Sequence, residues 1–256
     1  QQSFGESRID RSLNDDERHI RIEGVEAYSV NFDFVKAAGT KHTVYYGLEY
    51  VANDVTSTGT DEDISTAISG PGPSRYPQAT WRSVAAYVSD QVRLSDKFLI
   101  QAGMRYNQYI LDAVFDTTFY PFPFTSAKLN KGSLTGSIGG VYRPSDSWVI
   151  SANLATAFRA PNVDDMGKVF DSEPGAVVVP NPDLKAEYAT SVDLGVSKVF
   201  GETAKIDLTG YYTSLDNAMV RRDFTLDGQE YIIYDGELSR VQAIQNAAVA
   251  NVFGIQ

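Results

Sequence analysis

The chain has 256 residues and a formal net charge of −11, and 43% of its residues are hydrophobic while 21% are charged. This composition is typical of a folded protein, and the acidic balance argues against a nucleic-acid binder, which needs a basic surface. Because cysteine is absent, the sequence excludes disulfide bonds, thiolate metal sites and cysteine nucleophiles.

Apolar and polar residues alternate with a period of two along most of the chain, and this pattern predicts β-strands. In chain order, the alternation covers residues 20–32, 44–48, 84–94, 100–106, 134–142, 148–154, 192–196 and 206–208. We expect roughly ten strands, most of them about ten residues or longer, whereas strands usually have five or six. Long alternating strands in succession predict an all-β fold built as an antiparallel meander.

The connections between these strands alternate in length. Short turns are predicted at residues 36–40, 95–97, 143–146 and 201–203. Long polar or Pro/Gly-rich stretches separate them, at residues 54–79, 112–132, 159–187 and 216–230. Short turns at one rim and long loops at the other indicate an outer-membrane β-barrel.

Aromatic residues are concentrated at the predicted strand ends. One group flanks the short turns: Phe34, Phe98, Tyr142, Trp148 and Phe200. A second group lies mostly about 8–12 residues away, near the length of a membrane-spanning strand: Tyr50, Trp81, Tyr106, Phe158, Tyr188 and Tyr212. We interpret the groups as girdles at the two membrane interfaces. The alternative is a soluble β-sandwich with these aromatics in its core.

Two motifs bracket the third long stretch. Phe158-Arg159-Ala160-Pro161 ends one strand, and Asn181-Pro182-Asp183-Leu184-Lys185-Ala186-Glu187 begins the next. They resemble the paired F-R-A-P and N-P-x-L-x-x-E boxes in the barrel of TonB-dependent outer-membrane receptors. A hairpin over residues 89–106 and strands over residues 210–218 and 245–254 agree with the same family. The resemblance covers residues 84–256 well and the first eighty residues by general pattern.

The resemblance implies an organisation for the whole chain. Residues 1–256 form a single region, part of a transmembrane barrel of about 22 strands with a plugged lumen. Long loops are then extracellular and short turns periplasmic, in the bacterial outer membrane. Neither a plug domain nor a closing C-terminal strand with a terminal aromatic is recognisable, so we expect a partial barrel.

The family also implies a function. We expect an active-transport receptor for a scarce large nutrient, such as a ferric siderophore, whose energy comes from the inner-membrane protein TonB through the plug region. Outer-membrane lipids are the other expected partner. The alternatives are a passive channel, a haem receptor or a soluble β-rich binding protein. The haem-uptake branch carries a histidine in the bracketed loop, whereas residues 162–180 contain none.

Several residues of this loop have an expected role. Pro161 ends a strand because it lacks a backbone donor, and Asn181 and Pro182 favour a turn. Arg159 and Glu187 are placed to pair across the rim. The expected structural residues are Phe158, Pro161, Pro182 and Leu184. The expected ligand-binding residues are Arg159, Asp164, Asp165, Asn181, Glu187 and an exposed apolar patch of Val177, Val178 and Val179, which would meet a ligand, the plug or a partner lipoprotein.

The sequence offers little for catalysis. It has two histidines and neither a G-x-S-x-G nor a phosphate-binding P-loop. Asp164 and Asp165 are adjacent acids without the spacing of an EF-hand, so a solvated acidic loop explains them better than calcium binding. We expect no enzyme activity, no cofactor and no metal site.

Overall fold

The computed structural model describes residues 2–11, 16–120, 122–168, 171–173, 175–234 and 237–256. It contains one short helix, α1 (Val163–Gly167), among the described residues. The strands are β1 (Gln2–Arg11), β2 (Glu17–Ala38), β3 (His42–Asp63), β4 (Ile68–Gly72), β5 (Gln78–Ser95), β6 (Phe98–Val114), β7 (Ser126–Ser145), β8 (Trp148–Arg159), β9 (Asp171–Glu173), β10 (Ala176–Val178), β11 (Glu187–Phe200), β12 (Ala204–Asp216), β13 (Met219–Asp223), β14 (Tyr231–Tyr234), β15 (Glu237–Asn246) and β16 (Val249–Ile255).

The main sheet is an antiparallel meander, as predicted. Its strand order is β1-β2-β3-β5-β6-β7-β8-β11-β12-β16, and β4 pairs with the end of β3. Four short turns, at residues 39–41, 96–97, 146–147 and 201–203, join its strands at one rim. Gly39 and Gly201 adopt positive φ in two of them, a conformation that favours glycine.

One face of this sheet is apolar and exposed. In the register of β8 and β11, Ile150 lies opposite Val196 and Leu154 opposite Val192, all four on this face. Met104 is 57% exposed and Leu194 is 61% exposed. Such a large exposed apolar surface is unfavourable in water and favourable against lipid. It is therefore the lipid-facing side of the sheet.

No helix among the described residues is long and apolar enough to cross a membrane.

Aromatic side chains mark both ends of the lipid-facing band. Near the short turns, Phe34 stacks on Tyr46 with ring centroids 5.3 Å apart. At the opposite end, Phe158 of β8 meets Tyr188 of β11 at 5.4 Å. About ten residues separate Trp148 from Phe158 along β8, enough to span the hydrocarbon core. These contacts agree with the two predicted girdles.

The opposite face of the sheet is polar. The Arg105 guanidinium pairs with Glu49, and the Tyr87 hydroxyl donates to Asp33 at 2.5 Å. Trp81 belongs to this face, where it stacks on buried Tyr109 at 5.5 Å. Its assignment to the outer girdle is therefore wrong, because its position in β5 has the parity of the polar face.

Three of the long connections differ from their predicted bounds. Much of the stretch at residues 54–79 is strand, since β3 continues to Asp63 and β4 folds back on it. The second loop contracts to residues 115–125, and the fourth expands to residues 217–248 and contains β13, β14 and β15. The predicted strand over residues 245–254 breaks after Asn246. At the outer end of β3, residues 56–63 are polar on both faces, so alternation no longer marks this part of the strand.

A second, smaller sheet is assembled from two separate loops. Its order is β13-β15-β10-β9, with β14 pairing β15. β9 and β10 come from the loop between β8 and β11, whereas β13, β14 and β15 come from the loop between β12 and β16. β10 runs parallel to β15, with Val177 opposite Val241.

The main apolar core among the described residues lies at the loop end of the sheet. Tyr109, Leu111 and Ala113 of β6 are buried, whereas the alternate residues Ile110 and Val114 are exposed. The buried positions have the parity of the polar face. The loop residues that pack on them include Phe115, Phe122, Val163, Met166 and Leu184. The loops therefore cover the polar face rather than the lipid-facing side.

Candidate functional site

Helix α1 begins at a reciprocal cap that directly follows the F-R-A-P box. The Asp165 backbone N–H donates to the Asn162 side chain at 2.8 Å, and the Asn162 backbone N–H donates to the Asp165 carboxylate at 3.1 Å. Each side chain satisfies one free donor of the first turn. Sequence reasoning missed this helix, although Asn followed three residues later by Asp resembles a capping box.

Arg159 links the two ends of the loop between β8 and β11. Its Nη2 donates to both carboxylate oxygens of Asp165 at 2.8 Å, and its Nη1 donates to Glu187 at 2.8 Å. The hydrogen bond to Glu187, with a contribution from Asp165, raises the pKa of the guanidinium. The predicted pairing of Arg159 with Glu187 across the rim is present, and Asp165 is an additional partner.

Glu187 also reaches the loop between β12 and β16. Its other carboxylate oxygen accepts a hydrogen bond from the Met219 backbone N–H at 2.8 Å. A single side chain thus joins β8, the start of β11 and the chain that follows β12. Only 13% of the Glu187 and Asp165 side-chain surfaces is exposed, compared with 52% for Arg159. The two carboxylates are therefore largely shielded and paired.

Asp164 fixes the other side of α1. The Tyr76 hydroxyl donates to it at 2.9 Å, and burial of Tyr76, together with this acceptor, raises the pKa of the phenol. A Cβ on Gly167 would approach Pro77 Cγ to 2.7 Å, so α1 packs closely on the chain before β5. Asp164 therefore makes a structural hydrogen bond with Tyr76, although its side chain remains largely exposed.

Asn181 and Asn246 tie the two loops together. The Asn181 side chain donates to the Ile244 backbone carbonyl at 2.8 Å. It also accepts from the Asp183 N–H at 3.1 Å, and this bond closes an Asx turn around Pro182. Asn246 accepts from the Lys185 N–H and donates to the Lys185 and Asn217 carbonyls. Sequence reasoning identified Asn181 and missed Asn246, because side-chain bonds to a distant backbone leave no local pattern.

Val177, Val178 and Val179 do not form an exposed patch, so that expectation is wrong. All three are buried, in β10 and directly after it. Val179 packs with Val241 and Ala243 of β15. Three consecutive apolar residues are typical of a strand covered on both faces. A direct contact between these valines and a ligand stays a prediction, and it would require the second sheet to open.

The residues of the two motifs lie at the two ends of the loop between β8 and β11. Phe158 lies in the aromatic girdle, Pro161 is buried directly after β8, and Leu184 is buried in the loop core. Pro182 follows Asn181 inside its turn.

An aromatic cluster in the loop between β6 and β7 completes the layer of loops that covers the polar face of the sheet. Phe122 and Phe124 stack with centroids 5.4 Å apart, and Phe115 contacts both rings edge-on. Tyr120 lies 6.3 Å from Tyr234 of β14. The density of aromatics at residues 115–124 is the signal that sequence reasoning did not use.

The arrangement is suited to binding rather than to covalent chemistry. Its charged groups are paired with one another, and its core is aromatic and aliphatic. No group of three or more metal-ligating side chains lies together in the part of the chain that the structure describes.

The comparisons with known proteins agree with this architecture. A family model described as "TonB dependent receptor-like, beta-barrel" matches residues 2–255. No match was found among curated proteins.

Similar solved structures include the copper transporter OprC, with 13% identity and a TM-score of 0.71 over 99% of this chain and 42% of that one. The Serratia marcescens hemophore receptor HasR, solved with its hemophore and heme, has 14% identity and a TM-score of 0.63 over 93% and 39%. The ferric yersiniabactin receptor FyuA from Yersinia pestis has 17% identity and a TM-score of 0.60 over 97% and 34%.

The chain therefore spans well under half the length of these three structures, and at such identities the likeness shows the fold alone. The family model, by contrast, covers nearly all of the chain. The exposed apolar band, the aromatic girdles and the alternation of short turns with long loops fit the same assignment. This protein belongs to the TonB-dependent receptor family, and its main sheet is part of an outer-membrane β-barrel.

Proposed function

We propose that the protein is an active-transport receptor that takes up a scarce, large nutrient of the ferric-siderophore kind with energy supplied through TonB. The observation that carries this proposal is the loop layer over the polar face of the sheet. Tyr109, Leu111 and Ala113 are buried there beneath loop residues. A covered mouth suits a receptor that captures its ligand before transport, whereas a passive channel requires a continuous open path.

The loop layer supplies the proposed ligand surface. Hydrogen bonds position this layer, and they come from Arg159, Asp165, Asn181 and Glu187. Asp164 and the aromatic cluster lie beside these residues. Specificity in such a receptor belongs to loops held on a rigid scaffold. The similar structures include a copper transporter, a hemophore receptor solved with heme and a ferric yersiniabactin receptor, which supports a metal-containing nutrient.

Haem is the less supported cargo. His19 Nδ1 lies 2.6 Å from Asp61 and His42 Nδ1 lies 2.7 Å from Asp90, contacts that a metal-ligating histidine also makes, so it is their positions that count against haem. His42 adjoins a periplasmic turn, far from the loop layer, and neither histidine belongs to the bracketed loop.

The test uses the full-length gene in cells that lack it. Siderophore is collected from an iron-starved culture of the same species, loaded with ⁵⁵Fe and added to deleted and complemented cells. We expect accumulation in the complemented cells only, and a nearly silent trace when the purified protein is placed in a planar bilayer. Equal accumulation in both strains, together with steady conductance, would favour the passive channel instead.

A further inference from the structure

Lys198 places a charge on the lipid-facing side of the sheet. In the register of β11 it lies opposite Trp148 of β8 and Ile206 of β12. Val196 and Phe200 precede and follow it on the same face, and all four neighbours are exposed. A charged side chain among apolar residues is unfavourable inside the bilayer and is tolerated where its head reaches the interface.

The position of Lys198 along β11 corresponds to the periplasmic interface. Phe200, two residues further on, ends β11 directly before the turn at residues 201–203. Tyr188, in the opposite girdle, lies about ten residues earlier, near the length that spans the hydrocarbon core. The ammonium therefore lies at the depth of the lipid headgroups in the periplasmic leaflet.

Two aromatic rings hold the ammonium at this depth. Lys198 Nζ lies 4.1 Å from the centroid of the Trp148 ring and 5.6 Å from that of Phe200. A cation–π contact orients the ammonium without neutralising it, and two or more of its three N–H donors remain free for an anion. Within the described ranges, no carboxylate lies at ion-pair distance from Lys198.

We propose that Lys198 and Trp148 form a binding site for the phosphate of an anionic phospholipid in the periplasmic leaflet. The described residues place no counter-charge beside Lys198, and lipid phosphates are the anions that this face meets at headgroup depth. The indole ring occupies the interface, where tryptophan is enriched. Val196 and Leu208 lie opposite each other on the membrane side of Lys198, where they are placed to contact the acyl chains. The site recognises charge at the headgroup and apolar surface beneath it.

The test measures quenching of Trp148 fluorescence by brominated lipid. Full-length receptor is reconstituted in vesicles of phosphatidylcholine and phosphatidylglycerol, in which each lipid in turn carries the bromine label. The fluorescence of Trp148 is obtained by subtracting the fluorescence of the Trp148→Phe counterpart from that of each protein. The variants are Lys198→Gln, which removes the charge, and Lys198→Arg, which keeps it. Lys36→Gln is the matched control, because Lys36 is a lipid-facing lysine at the periplasmic end of another strand, β2.

We expect phosphatidylglycerol to be preferred at Trp148 by about fivefold, the ratio that corresponds to ~1 kcal/mol for one basic residue near the membrane surface. Lys198→Gln should abolish the preference, whereas Lys198→Arg and Lys36→Gln should retain it. Equal quenching by the two lipids in the wild-type receptor would overturn the proposal. So would an unchanged preference in Lys198→Gln, once heat-modifiable mobility shows that the variant has assembled.

Discussion

At the residue scale, Glu187 is the position where the loop layer is joined to the barrel. Its two oxygens accept from Arg159 and from the Met219 backbone, so one side chain connects three segments that are distant in sequence. The sequence allowed the Arg159 pairing to be predicted, because both residues follow the aromatic band. The contacts with Asp165 and Met219 could not be predicted, since they depend on how two loops fold against each other.

Glu187→Gln should loosen the loops and leave the barrel intact. The variant loses the ion pair with Arg159, and we expect the loop layer to be destabilised by about 1–2 kcal/mol, less than a fully buried pair because Arg159 is half exposed. Hydrogen exchange should accelerate at residues 160–186 and 217–248 while heat-modifiable mobility stays normal. Unchanged protection of both loops would show that Glu187 does not hold them.

Leu154→Arg tests the lipid-facing assignment at the middle of β8. Leu154 lies between Trp148 and Phe158 on the exposed apolar face, so arginine there should destabilise the folded protein by about 2–4 kcal/mol. Ile150→Arg should destabilise the protein less, because Ile150 lies beside the girdle. Ser151→Arg should destabilise it least, because Ser151 lies on the polar face. Urea unfolding in lipid vesicles gives the three free energies of unfolding, and equal values for all three would contradict the assignment.

At the scale of elements, the second sheet makes two loops into one unit. β10 contributes buried Val177 and Val178 between β9 and β15, so the loop that carries β10 cannot unfold without exposing β15. Val179 continues this packing beyond the strand. The ion pairs at Arg159 and the bonds of Asn246 act at the base of the same unit.

Replacing residues 175–179 with a Gly/Ser linker should therefore remove β10 from the second sheet, separate the two loops and leave barrel assembly unchanged. We expect ligand binding by whole cells to weaken, because the loops no longer hold a common surface. A matched control replaces residues 227–229, an exposed turn in which Asp227 and Gly228 have positive φ. If the assembled linker variant binds normally, the ligand surface lies elsewhere, and the chain before β5 becomes the next candidate.

The elements that sequence reasoning predicted are those with a membrane on one side. Alternation located the strands between the girdles because lipid requires every second residue to be apolar. Beyond the membrane this requirement ends, and the outer half of β3 was taken for a loop although it pairs with β2 over its whole length. The second sheet was missed because its strands are three to ten residues long and pair between loops.

At the scale of the whole molecule, closure of the barrel depends on how its edge strands are paired. β1 pairs with Arg18–Ala27, so within the described residues the membrane-spanning half of β2 has no partner along its outer edge. In lipid each unpaired backbone group costs several kcal/mol, and closed barrels avoid this cost. We therefore expect further strands of the full-length protein to pair with this edge.

Hydrogen exchange of the full-length receptor in lipid tests this expectation. Amides at residues 29–35 of β2 should be protected as strongly as those at residues 99–105 of β6, which has partners on both sides. Rapid exchange confined to residues 29–35 would mean that the edge is open and that the barrel does not close there.

We propose that this barrel belongs to a receptor whose transport is driven through TonB. The most direct measurement is the initial rate of ⁵⁵Fe-siderophore accumulation by cells that carry the full-length receptor, with and without a functional TonB. We predict that loss of TonB abolishes accumulation and leaves surface binding in the cold intact, because capture by the loops precedes the energised step. Accumulation at the same rate without TonB would show that transport by this receptor is not driven through TonB.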